Sequence, residues 1–71
     1  MKATVQPNGD RAPIPVNVSA YDSLTARAAV AAVDIALGSY AHATVYNAKG
    51  KTYRVTGRGK SRRAHLVHPG R

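Results

Sequence analysis

The sequence contains no cysteine, phenylalanine, tryptophan or glutamate. The lack of cysteine excludes a disulfide framework and a thiolate metal site. The lack of phenylalanine and tryptophan leaves the core to smaller side chains, because 13 of the 71 residues are alanine and only 13 are leucine, isoleucine or valine. A domain of this length buries only about 60% of its unfolded surface, so we expect one small domain of modest stability.

Long apolar segments are also missing. The longest apolar run, residues 28–33, ends at Asp34 and is far shorter than the ~20 residues that span a bilayer. The first residues include no apolar stretch typical of a signal peptide. We therefore expect no membrane partner and a cytoplasmic location. The composition, rich in arginine and alanine, is typical of a high-GC bacterial or bacteriophage gene.

Carboxylates are scarce, which argues against catalysis. Asp10, Asp22 and Asp34 are the only acidic residues. Asp10 is expected in a turn, Asp22 in a helix cap and Asp34 on the exposed side of a helix. The sequence shows no nucleophile–base pair and no phosphate-binding glycine loop. His65 and His68 have the spacing of a helical metal pair, but an extended segment would place them on opposite faces. We expect no enzyme, no cofactor and no metal.

Basic charge is concentrated in one part of the chain. The net charge is +8, yet residues 1–41 sum to zero. Residues 42–71 contain no acid and eight basic residues: Lys49, Lys51, Arg54, Arg58, Lys60, Arg62, Arg63 and Arg71. A one-signed excess of this kind points to a polyanionic partner.

A hairpin is predicted at the start of the chain. Its Pro-Asn-Gly-Asp sequence is a strong turn signal, because asparagine and glycine accept the positive φ of a tight turn. A two-residue loop at residues 8–9 would pair Val5 with Ala12 and give the hairpin one apolar face. Pro13 and Pro15 cannot donate ladder hydrogen bonds, so the second strand is expected at a sheet edge.

A helix is predicted over residues 22–37. Residues 19–22 or Ser23 would cap its first turn, and Gly38 would end it. Helical spacing gives it an apolar stripe made of Leu24, Ala28, Val30, Ala31, Val33, Ile35 and Leu37.

A second hairpin is predicted around residues 47–50, Asn-Ala-Lys-Gly, which suit a type I turn closed by glycine. Counting outward pairs Val45 with Tyr53 and Ala43 with Val55, so these four side chains would pack on the helix. The opposite face would meet solvent or a partner, and it comprises His42, Thr44, Tyr46, Thr52, Arg54 and Thr56.

The chain therefore divides into a compact α+β domain, residues 1–56, and a basic Gly/Arg linker and tail, residues 57–71. Within the tail, residues 64–68 can add a short last strand. The expected layout is ββαββ(β), with one helix packed on a small sheet.

The order of these elements resembles the ubiquitin-like β-grasp fold. The resemblance is carried by the opening hairpin, by Val16-Asn17-Val18 running into the helix, and by the late His65-Leu66-Val67. It implies a sheet with a central parallel pair, and it implies no ubiquitin-type activity. A ββαββ layout without the parallel pair is the alternative.

The favoured hypothesis is a small protein that binds DNA or RNA with low sequence specificity. The eight basic residues of 42–71 would contact phosphates, and Tyr46 would stack on an unpaired base. The alternative is a non-catalytic interaction module or phage-type inhibitor that binds an acidic host protein through a sheet edge. A third hypothesis is a structural component that self-associates through such an edge.

Overall fold

The computed structural model describes residues 1–67. Its elements are β1 (Lys2–Pro7), β2 (Ile14–Asn17), α1 (Ala26–Leu37), β3 (Ala43–Tyr46), β4 (Thr52–Thr56) and β5 (Arg63–Val67), with a 3₁₀ turn at Gly59–Ser61. One helix packs on one five-stranded sheet, which confirms the predicted α+β class. The short last strand expected near residue 64 is present as β5.

The sheet is antiparallel throughout the described residues, in the order β2-β1-β3-β4-β5. β2 and β3 lie on either side of β1, and both run opposite to it. α1 therefore connects two strands, β2 and β3, that β1 separates in the sheet. The parallel pair of a β-grasp fold is not found in residues 1–67, and the alternative layout is the one observed. The reason lies in the position of β3, because it lies directly beside β1 and runs opposite to it, at the place where a β-grasp fold has a strand parallel to β1.

The first hairpin forms with a longer loop than predicted. Val5 lies opposite Ile14 instead of Ala12, a slip of two residues that leaves the apolar face unchanged because side chains alternate with period two. The slip keeps Pro13 out of the ladder. The Gln6 side chain bridges the longer loop in place of backbone hydrogen bonds, because its Nε2 donates to the Arg11 carbonyl at 2.8 Å. β2 is an edge strand, as its prolines predicted.

The second hairpin has the predicted register. Val45 lies opposite Tyr53 and Ala43 opposite Val55, and all four side chains are buried. The Asn47 side chain fixes the turn, because its Oδ1 accepts from the backbone N–H of Lys49 at 3.0 Å and of Lys51 at 2.9 Å.

The helix begins four residues later than predicted. Thr25 is its N-cap and accepts from the Ala28 N–H at 3.2 Å, so the expected caps at residues 19–23 lie outside it. Leu24, just before the cap, is fully buried at the position that forms a hydrophobic staple with the first helical turn. The helix ends as predicted at Gly38, whose N–H donates to the Asp34 carbonyl at 3.1 Å.

The core lies between α1 and one face of the sheet. The helical residues that are fully buried are Ala28, Ala29, Ala32 and Val33, and three of these four are alanine, which lets the helix approach the strands closely. Ile35 points away and is 62% exposed, so its predicted place in the apolar stripe was wrong. Within residues 1–67 no helix has the length and hydropathy to cross a membrane.

Leu24 and Ile35 therefore give a matched pair of stability tests. We expect Leu24→Ala to lower the free energy of unfolding by about 2–5 kcal/mol, because it leaves a cavity in a small core. Ile35→Ala should change it by less than about 0.5 kcal/mol. Urea denaturation followed by circular dichroism measures both, and equal losses would contradict the observed helix orientation.

Candidate functional site

The sheet has a second face that α1 does not cover. Cross-strand partners point to the same side of a sheet, so the register assigns every strand residue to one side or the other. We call the uncovered side the open face. It comprises Lys2, Thr4, Gln6, Pro15, Asn17, Thr44, Tyr46, Thr52, Arg54, Thr56, Arg63, His65 and Val67.

The open face has basic residues and no acidic residue. Lys2, Arg54, Arg63 and His65 are all exposed on it. Arg54 lies directly opposite His65, and Thr56 lies opposite Arg63, so Arg54 and Arg63 are diagonal neighbours on adjacent strands, within roughly 7–8 Å at their Cα atoms.

The three aspartates lie elsewhere. Asp10 is in the β1–β2 loop, Asp22 precedes α1, and Asp34 is in the helix. No strand of residues 1–67 therefore brings a carboxylate to the open face, and the cations there have no acidic strand neighbour.

Tyr46 lies on β3, the middle strand of the sheet, between its cross-strand partners Thr4 and Thr52. It is half-buried and borders a depression of about 460 Å³, which Lys2, Pro15 and Asn17 also line. The depression thus has an aromatic wall, an apolar wall, amide and hydroxyl groups, and a lysine. These are the groups that a flat heteroaromatic ring attached to a phosphate would need.

The predicted basic residues do not form a single surface. Arg54 and Arg63 are on the open face. Lys49 is exposed in the β3–β4 turn, and Arg58 and Lys60 are exposed in the link between β4 and β5. Arg71 and His68 lie outside the described residues.

Lys51 is positioned on the helix side of the sheet. Its Nζ lies 5.8 Å from the centre of the Tyr53 ring, and Tyr53 belongs to the core face. The resulting cation–π contact draws the ammonium group away from Tyr46, so Lys51 does not extend the open face.

Arg62 is a structural residue. Its side chain is only 3% exposed, and its Nε lies 3.3 Å from Asp34 Oδ1. Its Nη1 donates to the Ser39 carbonyl at 2.6 Å. The guanidinium therefore ties the segment before β5 to α1 and to the residue after the helix C-cap, and it is withdrawn from any phosphate that reaches the surface.

Gly57 allows the turn that places Arg62 against Asp34. Its φ is +89°, and a Cβ there would collide with the Ser61 carbonyl. The close turn is held by the Ser61 N–H, which donates to the Arg58 carbonyl at 2.8 Å. Residues 57–62 thus fold into a compact link that delivers Arg62 to Asp34.

The sequence interpretation missed two residues of the open face, Lys2 and His65. Lys2 was counted with the neutral part of the chain, although it has the same strand parity as Thr4 and Gln6. His65 was treated as an exposed tail histidine, although β5 places it opposite Arg54. Both residues could have been assigned to this face from the alternation of side chains along their strands, which the sum of the charges does not show.

Comparisons with protein families, with curated proteins and with solved structures find no match to this chain. Any inference about its function therefore rests on its residues and on their arrangement.

Arg62 and Arg58 differ sharply in environment and provide a test of the link. We expect Arg62→Ala to lower the free energy of unfolding by about 2–3 kcal/mol, because it removes a hydrogen bond to Ser39, an ion pair with Asp34 and packed methylenes. Arg58→Ala, at an exposed site, should cost less than about 0.5 kcal/mol. Denaturation midpoints measure both. A neutral Arg62→Ala would show that the Asp34 and Ser39 contacts contribute nothing.

Proposed function

We propose that this protein binds single-stranded nucleic acid across the open face of its sheet, without catalysing a reaction. The observation that supports this most directly is the coincidence, on one uncovered surface, of Arg54, Arg63 and Lys2 with the half-buried aromatic Tyr46 and, within residues 1–67, with no carboxylate. Phosphates would lie along the cations, and a base would enter the depression beside Tyr46.

The phosphate contacts supply most of the proposed affinity. Arginine offers planar donors that match phosphate oxygens. Arg58 and Lys60, in the link between β4 and β5, provide a second point of contact. Binding of this kind releases counterions, so affinity falls as salt rises, with a log–log slope of about −0.7 for each phosphate neutralised on a single strand.

A single strand fits this surface better than a duplex. Sequence reading in duplex DNA commonly uses a helix or ribbon inserted in the major groove. Here α1 lies on the other side of the sheet and contains one basic residue, Arg27. An open sheet face with an aromatic residue instead suits unpaired bases, which stack with little regard for sequence. We propose low sequence specificity for the same reason.

Two double variants with the same change in net charge test the location of the site. We expect Arg54→Gln with Arg63→Gln to weaken binding of a single-stranded oligonucleotide by roughly tenfold or more, since each exposed contact contributes on the order of 1 kcal/mol. The salt slope should fall by about 1.4, or two contacts at ~0.7 each. Fluorescence anisotropy across a salt series measures both.

The control is Arg11→Gln with Arg27→Gln, which removes two exposed cations that lie off the open face. It should leave affinity within about twofold. If both double variants lose affinity equally, net charge alone explains the binding and the open face is not the site.

Tyr46 has its own test. We expect Tyr46→Ala to weaken binding of an oligonucleotide with intact bases by about 5- to 150-fold, the equivalent of 1–3 kcal/mol for one stacked base. An abasic oligonucleotide of the same length should bind the variant and the parent alike, and Tyr46→Phe should retain most of the affinity. Equal losses for both oligonucleotides would mean that Tyr46 supports the face instead of stacking on a base.

A further inference from the structure

A groove runs between α1 and the outer side of β5, at the end of the sheet away from the Tyr46 depression. Its volume is about 610 Å³. Arg27, Val30 and Ala31 line it on the helix side, and residues 62–65 line it on the strand side.

The strand side of the groove is a strand edge. β5 is the outermost strand, and among residues 1–67 it pairs with β4 alone. Side chains of a strand alternate between two faces, yet consecutive residues 62–65 all border the groove. The groove therefore runs along the backbone edge of β5, where N–H and C=O groups are available to another strand.

The helix side of the groove projects beyond the sheet. Ala28, Ala29, Ala32 and Val33 are fully buried against the strands, whereas the neighbouring Val30 and Ala31 are only half-buried. A strand added beside β5 would lie beneath that flank and cover both side chains. Such an addition would extend the two-layer packing by one strand.

The charge of the groove selects its occupant. Arg27, Arg62, Arg63 and His65 border it with Asp34 as the only acid, and Asp34 is already paired with Arg62. A second copy of this chain would bring another Arg63 to the same edge, and like charges oppose that pairing. An acidic segment meets opposite charge from Arg27 on the helix side and from Arg63 on the strand side.

We infer that this groove binds an extended acidic segment of a partner protein as a sixth strand on β5. Backbone hydrogen bonds to β5 supply the pairing, and Arg27 and Arg63 select carboxylate side chains. The groove shares Arg63 and His65 with the open face, but the edge of β5 and the flank of α1 lie away from Tyr46 and Lys2. The inference therefore does not depend on nucleic-acid binding.

The test uses the full chain labelled for NMR and a short end-capped synthetic peptide of valine and glutamate, with glutamates on both sides of the extended strand. We expect saturable shifts of the backbone amides of β5 and of residues 27–34, together with slower hydrogen exchange along β5. A peptide with lysine in place of each glutamate should produce neither change. Equal binding of the two peptides would overturn the acidic occupant.

Arg27→Glu should weaken binding of the acidic peptide by about 3- to 10-fold, because one exposed attraction becomes a repulsion. Arg11→Glu makes the same charge change in the β1–β2 loop and should have no effect. The inference is wrong if the peptide produces no saturable shift, if the shifts map to β1, β2 and Tyr46 instead of β5, or if the chain forms a dimer in sedimentation measurements.

Discussion

A single helix must cover the apolar face of a five-stranded sheet, and most features of this molecule follow from that constraint. α1 is only 12 residues long, so it covers one face of the strands and leaves the other to water. Alanine at three of its four fully buried positions allows a close approach, which compensates in part for the lack of large apolar side chains. Leu24, placed just before the helix cap, adds the largest fully buried side chain.

The uncovered face must be polar because of the same constraint. Each strand divides its residues between a buried side and a wet side, and the wet side can hold basic residues without disturbing the core. The open face and the core face are thus independent in composition, although they alternate along the same strands. Open-face residues and core residues are interleaved in sequence and separated in space.

Much of this arrangement could be predicted from local sequence rules. The register of the second hairpin follows from residues 47–50 alone, because the turn type fixes the pairing of everything outward from it. The first hairpin has a longer loop than the Asn-Gly signal predicted, and Pro15 takes the place opposite Thr4 that Pro13 would have had. The turn signal alone therefore did not determine this register. The helix face was misjudged at Ile35, since the stripe was counted from Leu24, which lies before the helix begins at Ala26.

Arg62 shows where charge arithmetic fails. In the sequence it is one of eight equivalent cations, and nothing local distinguishes it from Arg63, its neighbour. Only the turn that begins at Gly57 and the position of Asp34 on α1, far away in the chain, remove it from solvent. Long-range pairs of this kind have no periodicity to reveal them, so the division of the basic residues into structural and exposed ones required the structure.

The separation of the two faces also shapes how such a chain can change over generations. Proteins tolerate substitutions that stay above a threshold of stability, and side chains such as Arg54, Thr44 and Thr52 make no contribution to the buried core. The open face can therefore change in sequence while the scaffold persists. Arg62, Asp34 and Gly57 have no such freedom, and descendants of this chain would be recognised more readily by those three positions than by the residues of the open face.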